Sequence, residues 1–229
     1  MNITFSKLAL KVAIVSSLLA GGVVFSSSAK AISLWHDVLP SLVTLQPQNS
    51  LVVATARAQG DKAQKMISNM GDKAVSFLSN SSLSQTQKEK EFRKLLTHHF
   101  DMSTIGRFAL GKNWRSATAS QKKEYQKLFK ELIVRVYTGR FNEYKGEAFD
   151  VVSFRDSGKK DILVTSYIVP NSGSKVKIDW RVRNKGGKYK VIDVIIEGVS
   201  MSLTQRSDFS SVIQRGGGKL EALLEHLRK

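Results

Sequence analysis

The chain has 229 residues, with 36 Lys and Arg against 19 Asp and Glu, and no Cys. That length holds one domain or at most two small ones, and 41% hydrophobic with 24% charged residues is globular composition rather than disorder. No apolar run reaches the roughly 18 residues of a membrane-spanning helix. Without Cys the chain has no disulfide, thiolate metal site, Cys nucleophile or lipidated Cys anchor, and its net charge of +17 bears on partners, not on fold.

Residues 1–31 read as a secretory signal. Lys7 and Lys11 precede an apolar run from Val12 to Phe25, and Ala29-Lys30-Ala31 is a small-x-small cleavage site. Removal takes three lysines and no acid, and the mature chain is expected to be a soluble periplasmic monomer. Residues 32–60, broken by Pro40 and Pro47, read as an N-terminal arm or linker, with Leu51 to Ala58 resembling a second processing site. Residues 61–229 are expected to form the folded domain.

From Asp61 the helical period is clear: Ala63, Met66, Ile67, Met70, Ala74, Phe77 and Leu78 recur at i, i+3, i+4. Ser84 with Gln87 forms a capping box for a second helix through Phe92, Leu95 and Leu96. Asp101 or Ser103 caps a short third helix that Gly111 ends. Thr118 with Gln121 opens the longest helix, whose apolar face carries Tyr125, Leu128, Phe129, Leu132, Ile133, Val136 and Tyr137. The period then changes to two. Strands are predicted over 149–154, 161–169, 175–183 and 189–196, with Lys185-Gly186-Gly187 as a hairpin turn. Helical period returns after Gly198, and Leu220, Leu223, Leu224 and Leu227 form a last amphipathic helix beyond Gly216-Gly217-Gly218. The order of elements defines an α+β fold with helices against an antiparallel sheet of about four strands.

Polar chemistry is sparse. His36, His98, His99 and His226 fall in no HExxH pattern and no Cys assists them, so no metal is expected, nor any cofactor. The three glycines follow a helix, as a cap does, not a strand, as a phosphate loop does. No Ser stands in a GxSxG context. Asp193, alone on an apolar strand, is either a structural carboxylate or the general base of an NTF2-like enzyme, and the structural role is favoured. Lys175, Lys177, Arg181, Arg183, Lys185, Lys188 and Lys190 cluster without interleaved aromatics, which argues against nucleic acid. They form a solvated face or a docking face for an anionic membrane or acidic partner.

Three segments carry a family resemblance: Leu110-Gly111-Lys112-Asn113-Trp114, Ala117-Thr118-Ala119-Ser120-Gln121, and Asp193-Val194-Ile195-Ile196-Glu197-Gly198-Val199-Ser200-Met201, which runs on into Gln205-Arg206-Ser207-Asp208-Phe209. From Phe92 to Leu227 the chain resembles the MlaC type of periplasmic phospholipid-binding proteins, also described as toluene-tolerance proteins or auxiliary components of lipid ABC transporters. The stretch from Glu197 to Leu227 is similar to the hopanoid-associated HpnM branch. The resemblance implies an NTF2-like cone whose curved sheet and helices enclose an apolar cavity. It implies a non-enzymatic carrier of diacyl phospholipid, or of hopanoid in the HpnM branch. The implied docking partners are an inner-membrane ABC complex and an outer-membrane lipoprotein–porin complex. The residues expected to line the cavity are Phe108, Trp114, Phe129, Ile133, Val136, Tyr137, Phe141 and Tyr144 from the helices, Val164, Ile178, Trp180 and Val194 from the sheet, and Val199 and Met201 at the turn leaving it.

Overall fold

A computed structural model describes residues 48–158 and 160–229. The signal, residues 32–47 and His36 lie outside the described residues. Helix α1 (Gln48–Ser79) leads into α2 (Gln85–His99), α3 (Met102–Leu110), the single turn α4 (Asn113–Ser116) and α5 (Ala119–Thr138). A 3-10 turn (Phe141–Glu143) precedes strands β1 (Ala148–Ser157), β2 (Asp161–Val169), β3 (Val176–Lys185), β4 (Lys188–Ile196) and β5 (Val199–Ser200), followed by α6 (Met201–Arg215) and α7 (Leu220–Arg228). The sheet is an antiparallel meander in the order β1-β2-β3-β4-β5.

Part of the expected N-terminal arm is helical instead. From Gln48 the chain, including the stretch expected to be processed, belongs to α1. No Pro follows Pro47 before Ser79, and Ala, Gln, Leu, Met and Lys all favour helix. Tertiary contact selects this outcome as well. Ala63, Ile67 and Met70 of α1 are buried against Ile162, Val164, Val182 and Val191 of the sheet. Gly60 and Gly71 lie on the same side, where a Cβ would come within 1.8 Å of the Phe154 ring and 2.1 Å of the Phe149 ring. These two glycines let the helix axis approach β1.

The capping signals act as the sequence suggests. Ser84 and Thr118 each exchange hydrogen bonds with the residue three positions on, Gln87 and Gln121, closing both capping boxes. Asp101, rather than Ser103, caps α3 through the Thr104 amide, while the Ser103 hydroxyl donates to the Asp101 carboxylate at 2.7 Å. The helices build their own core. Tyr125, Phe129 and Leu132 of α5 meet Ala109 and Leu110 of α3, Phe209 and Ile213 of α6, and Leu223, Leu224 and Leu227 of α7. The Tyr125 hydroxyl donates to the Gly106 carbonyl at 2.9 Å, so this fully buried ring keeps its polar atom satisfied.

Two details of the sheet depart from strict alternation. A fifth strand pairs Val199 and Ser200 with Ile196 and Ile195. In β4, Val191 pairs with Val182 while Asp193 pairs with Arg181, so Ile192 is an unpaired bulge residue. The bulge puts Val191 with Val194 and Ile196 on the inner face, whereas unbroken alternation predicts Ile192 there. The β3–β4 turn is Gly186-Gly187, both at positive φ (59° and 84°), the conformation that a two-residue hairpin demands.

The basic outer face of β3 is partly neutralised by Asp161 on β2, Asp179 on β3 itself and Asp101 at the start of α3. Arg183 grips Asp161 in a two-point contact at 2.6 and 2.8 Å, Arg181 approaches the same carboxylate at 3.9 Å, and Lys177 pairs with Asp179 at 3.2 Å. Lys185 pairs with Asp101 at 2.5 Å. Burial opposes ionisation of Asp101, but Lys185 with the Ser103 and Thr104 donors outweighs it and holds that carboxyl well below the usual range. Asp161→Ala strands Arg183, while Arg181 keeps its bond to the Ser157 hydroxyl, and should cost about 1–2 kcal/mol in urea denaturation. Removing the exposed Lys94–Glu91 pair by Lys94→Ala should cost under about 0.5 kcal/mol. Equal midpoints for the two variants would show that the Asp161 contact is an ordinary solvated pair.

Candidate functional site

The residues expected to line a cavity fall into separate groups. Val164, Trp180 and Val194 belong to the cluster between α1 and the sheet. Ile178, 5% exposed, lies between Ser166 and Ile196 on the neighbouring strands. The Trp180 indole N–H donates to the Ser166 hydroxyl at 2.8 Å. Phe129, Ile133, Val136 and Trp114 belong to the helical cluster. Tyr137 and Phe141 stand between the two, in a run of ring contacts with Phe92 and Phe77 at 5.5 to 6.1 Å that ties the end of α5 to α2 and α1. The half-buried Tyr144 donates to the Glu147 carbonyl at 3.2 Å. Met201, half-buried, opens α6. Phe108 and Val199 are each 41% exposed, and Phe108 lies under the Arg206 guanidinium at 5.5 Å. The interior therefore has two apolar halves. Helix α5 packs mainly on α2, α3 and α7 rather than on the sheet.

The segment Asp193 to Met201 joins these halves. Glu197 adopts a left-handed backbone (φ 48°) and Gly198 follows at 82°, turning β4 into β5. A non-glycine residue in that region is strained by about 1 kcal/mol. Here Glu197 is held twice by Lys177: its amide donates to the Lys177 carbonyl at 3.0 Å, and its carboxylate accepts from the Lys177 amide. Ser200 caps α6 through the Leu203 amide. The Asp193 carboxylate accepts from the Ser200 hydroxyl at 2.6 Å, the Ser202 amide at 3.1 Å and the Ser202 hydroxyl. Asp193 thus clamps the last long strand to the start of α6, the structural role favoured from sequence. Its oxygens are taken up by these donors, an arrangement suited to bracing a helix rather than to abstracting a proton.

One feature of the surface was not read from the sequence. α1 and α2 leave a groove of about 1140 Å³ between them, open to solvent. Phe77, Leu83 and Leu95 supply apolar lining, while Lys73, Lys90, His98, His99 and Lys190 supply nitrogen atoms. Helical period places these charges on the polar faces of two helices, and nothing local reveals that the two faces meet. His99 is 6% exposed, and burial, reinforced by His98, Lys73 and Lys190, lowers its pKa from 6.5 to about 4. The unfolded chain takes up this proton as pH falls through 6.5 and the folded chain only near 4, so stability is lost as pH falls across that window. From pH 7 to pH 5 the loss should be about 1–2 kcal/mol after allowance for solvent screening, or roughly 3–6 °C in Tm. His99→Phe should flatten the slope, and an unchanged slope would assign it to other groups.

Fold and site together define the class: an α+β protein whose two apolar halves are joined by a structural clamp. The chain belongs to the MlaC protein family, whose model matches residues 68–229. It is 26% identical over 111 residues to "Toluene tolerance protein ttg2D" of Pseudomonas putida, covering 48% of this chain and 52% of that protein, so the match spans about half of that relative. It is 22% identical over 191 residues to "Intermembrane phospholipid transport system binding protein MlaC" of Haemophilus influenzae, covering 80% of this chain and 87% of that protein. Among solved structures, a phospholipid-binding protein from Ralstonia solanacearum, in complex with a phospholipid, aligns with TM-score 0.63 and 24% identity over 72% of this chain and 94% of that chain, a likeness of fold. No helix among the described residues is long and apolar enough to cross a membrane.

Proposed function

We propose that this protein is a periplasmic phospholipid carrier. Acyl chains are held between the sheet and the helices, and the loaded protein travels between an inner-membrane ABC complex and an outer-membrane lipoprotein–porin complex. The observation that carries this reading is the divided apolar interior in a chain of the MlaC family. Two apolar layers joined at a clamp can part along their seam, and Ile133, Val136, Trp180 and Val194 are only partly buried beside it. Burial of acyl chain gains roughly 0.8 kcal/mol per CH₂. Two chains of common length therefore supply on the order of 20 kcal/mol before ordering costs, enough to open such a seam without polar catalysis.

Extraction of the purified protein into organic solvent, followed by mass spectrometry, tests the reading. A diacyl phospholipid in roughly stoichiometric amount is the expected result. A hopanoid would place the protein in the HpnM branch. Absence of lipid from protein purified without detergent would sink the carrier reading.

A further inference from the structure

The groove between α1 and α2 contains none of the residues expected to line the lipid cavity, although Leu95, which also packs against the sheet-side cluster, and buried Phe77 form part of its wall, and it has an amphipathic layout of its own. At the end near the turn that joins the helices, Phe77 and Leu83 face the groove, and Leu95 lies further along. Away from that turn, Lys73 lies one helical turn before Phe77, and Thr97, His98 and His99 at the C-terminal end of α2 close the opposite end of the groove with Lys190 of β4. No described residue accepts a hydrogen bond from the Lys73 or Lys90 ammonium or from either histidine ring. Lys190 donates to the Thr97 carbonyl at 3.3 Å and to the His98 carbonyl, which leaves one of its three N–H donors free. Two carboxylates also line the groove. Glu91 is taken up by Lys94 at 2.6 Å, and Asp72 is the single acid among them with no ion pair. The cations outnumber the acids, and they crowd a buried neutral imidazole that an arriving anion would relieve. A phosphate group matches them: several acceptor oxygens and up to two negative charges against the N–H donors gathered in this groove.

We propose that this groove is a second ligand site, built for a phosphate group between Lys73, His98 and Lys190, with apolar substituents carried along Leu95, Phe77 and Leu83. The phosphate is the head of an amphiphile or the free anion. The site does not rest on the carrier reading, since none of its lining residues is among those expected to hold acyl chains.

The test is a titration of the purified protein at pH 6.5 and low salt, followed by the imidazole NMR signals of His98 and His99. The probes are dihexanoyl phosphatidic acid below its micelle concentration and, separately, inorganic phosphate. The expected result is saturable shifts of both rings with phosphatidic acid. Weaker response to inorganic phosphate identifies an amphiphile head group, and equal response identifies the free anion; either supports the site. The double variant Lys73→Glu/His98→Gln, both positions being exposed, should melt as the parent does and bind the probe at least tenfold more weakly, read on His99. No saturable shift with either probe, or parental affinity in the double variant, overturns the proposal. Extracted lipid measured on the same variant keeps the two readings apart. Parental lipid content with lost probe binding supports two separate sites, whereas joint loss at unchanged melting makes the groove part of the carrier cavity and overturns its independence.

Discussion

Gly71→Leu should lower stability by about 3 kcal/mol and Tm by roughly 6–12 °C. Two effects oppose each other at this position. A glycine within a helix costs up to about 1 kcal/mol relative to alanine, so on an isolated helix any side chain would be a gain. In the folded protein a Cβ at Gly71 would lie 2.1 Å from the Phe149 ring, far inside contact distance. That ring cannot swing away freely, because it stands edge-on against Trp180 at 6.1 Å. Overpacking typically costs 1–3 kcal/mol for a few added methylenes, so the clash outweighs the gain in propensity, and leucine is at the severe end. Phe149→Ala in the same chain should recover part of the loss by removing the obstruction. Gly139→Ala, whose nearest neighbour would be a backbone oxygen at 3.4 Å, should be close to neutral. A Gly71→Leu protein that melts as the parent does would mean that α1 is not seated on β1. Lipid content of the variant is informative too, because α1 covers the inner face of the sheet that the carrier reading assigns to the ligand.

Val194→Arg should abolish lipid loading. Val194 pairs with Trp180 across β3 and β4 and belongs to the cluster that includes Ile67, Val164 and Val182. An arginine there must either lose its hydration among apolar groups, at several kcal/mol, or reach out through the seam where acyl chains are proposed to enter. Either outcome opposes a hydrocarbon ligand. Half-burial of Val194 leaves room for the second, so the protein is expected to fold with reduced stability and to be recovered empty. Val194→Leu tests for bulk alone and should retain lipid. Val152→Arg, on the bulged part of β1 and 52% exposed, should change neither loading nor melting. A folded Val194→Arg protein with a full complement of lipid would show that the cavity does not reach this face.

Much of the fold was legible in local sequence because its determinants are local. Ser84 with Gln87 and Thr118 with Gln121 close their capping boxes within one turn, and β2 runs from Asp161 to Val169 as its composition and flanking turn indicate. Asp193 read as structural, and it is a clamp. What was not legible depends on contacts between distant segments. Gln48 to Gly60 looked like an arm because Pro40 and Pro47 lie before it and Leu51 to Ala58 resembles a processing site; only the aromatic rings of β1 explain why Gly60 and Gly71 are there. The bulge at Ile192 resets the faces of β4, and no pattern of period two contains it. The charges of β3 were read as a solvated or a docking face, and only strand pairing shows that Asp161 of β2 lies beside Arg183 and Arg181. The α1–α2 groove arises in the same way, from polar faces that are ordinary on each helix and become a cationic cleft only when the helices lie side by side with β4 at their end. By itself the sequence determined the elements, their caps and turns and the resemblance to a family, since a few neighbouring residues decide each of these. Tertiary structure alone decided which charges are paired, which apolar residues share a cluster and where open space remains, because those depend on distances between residues far apart in the chain.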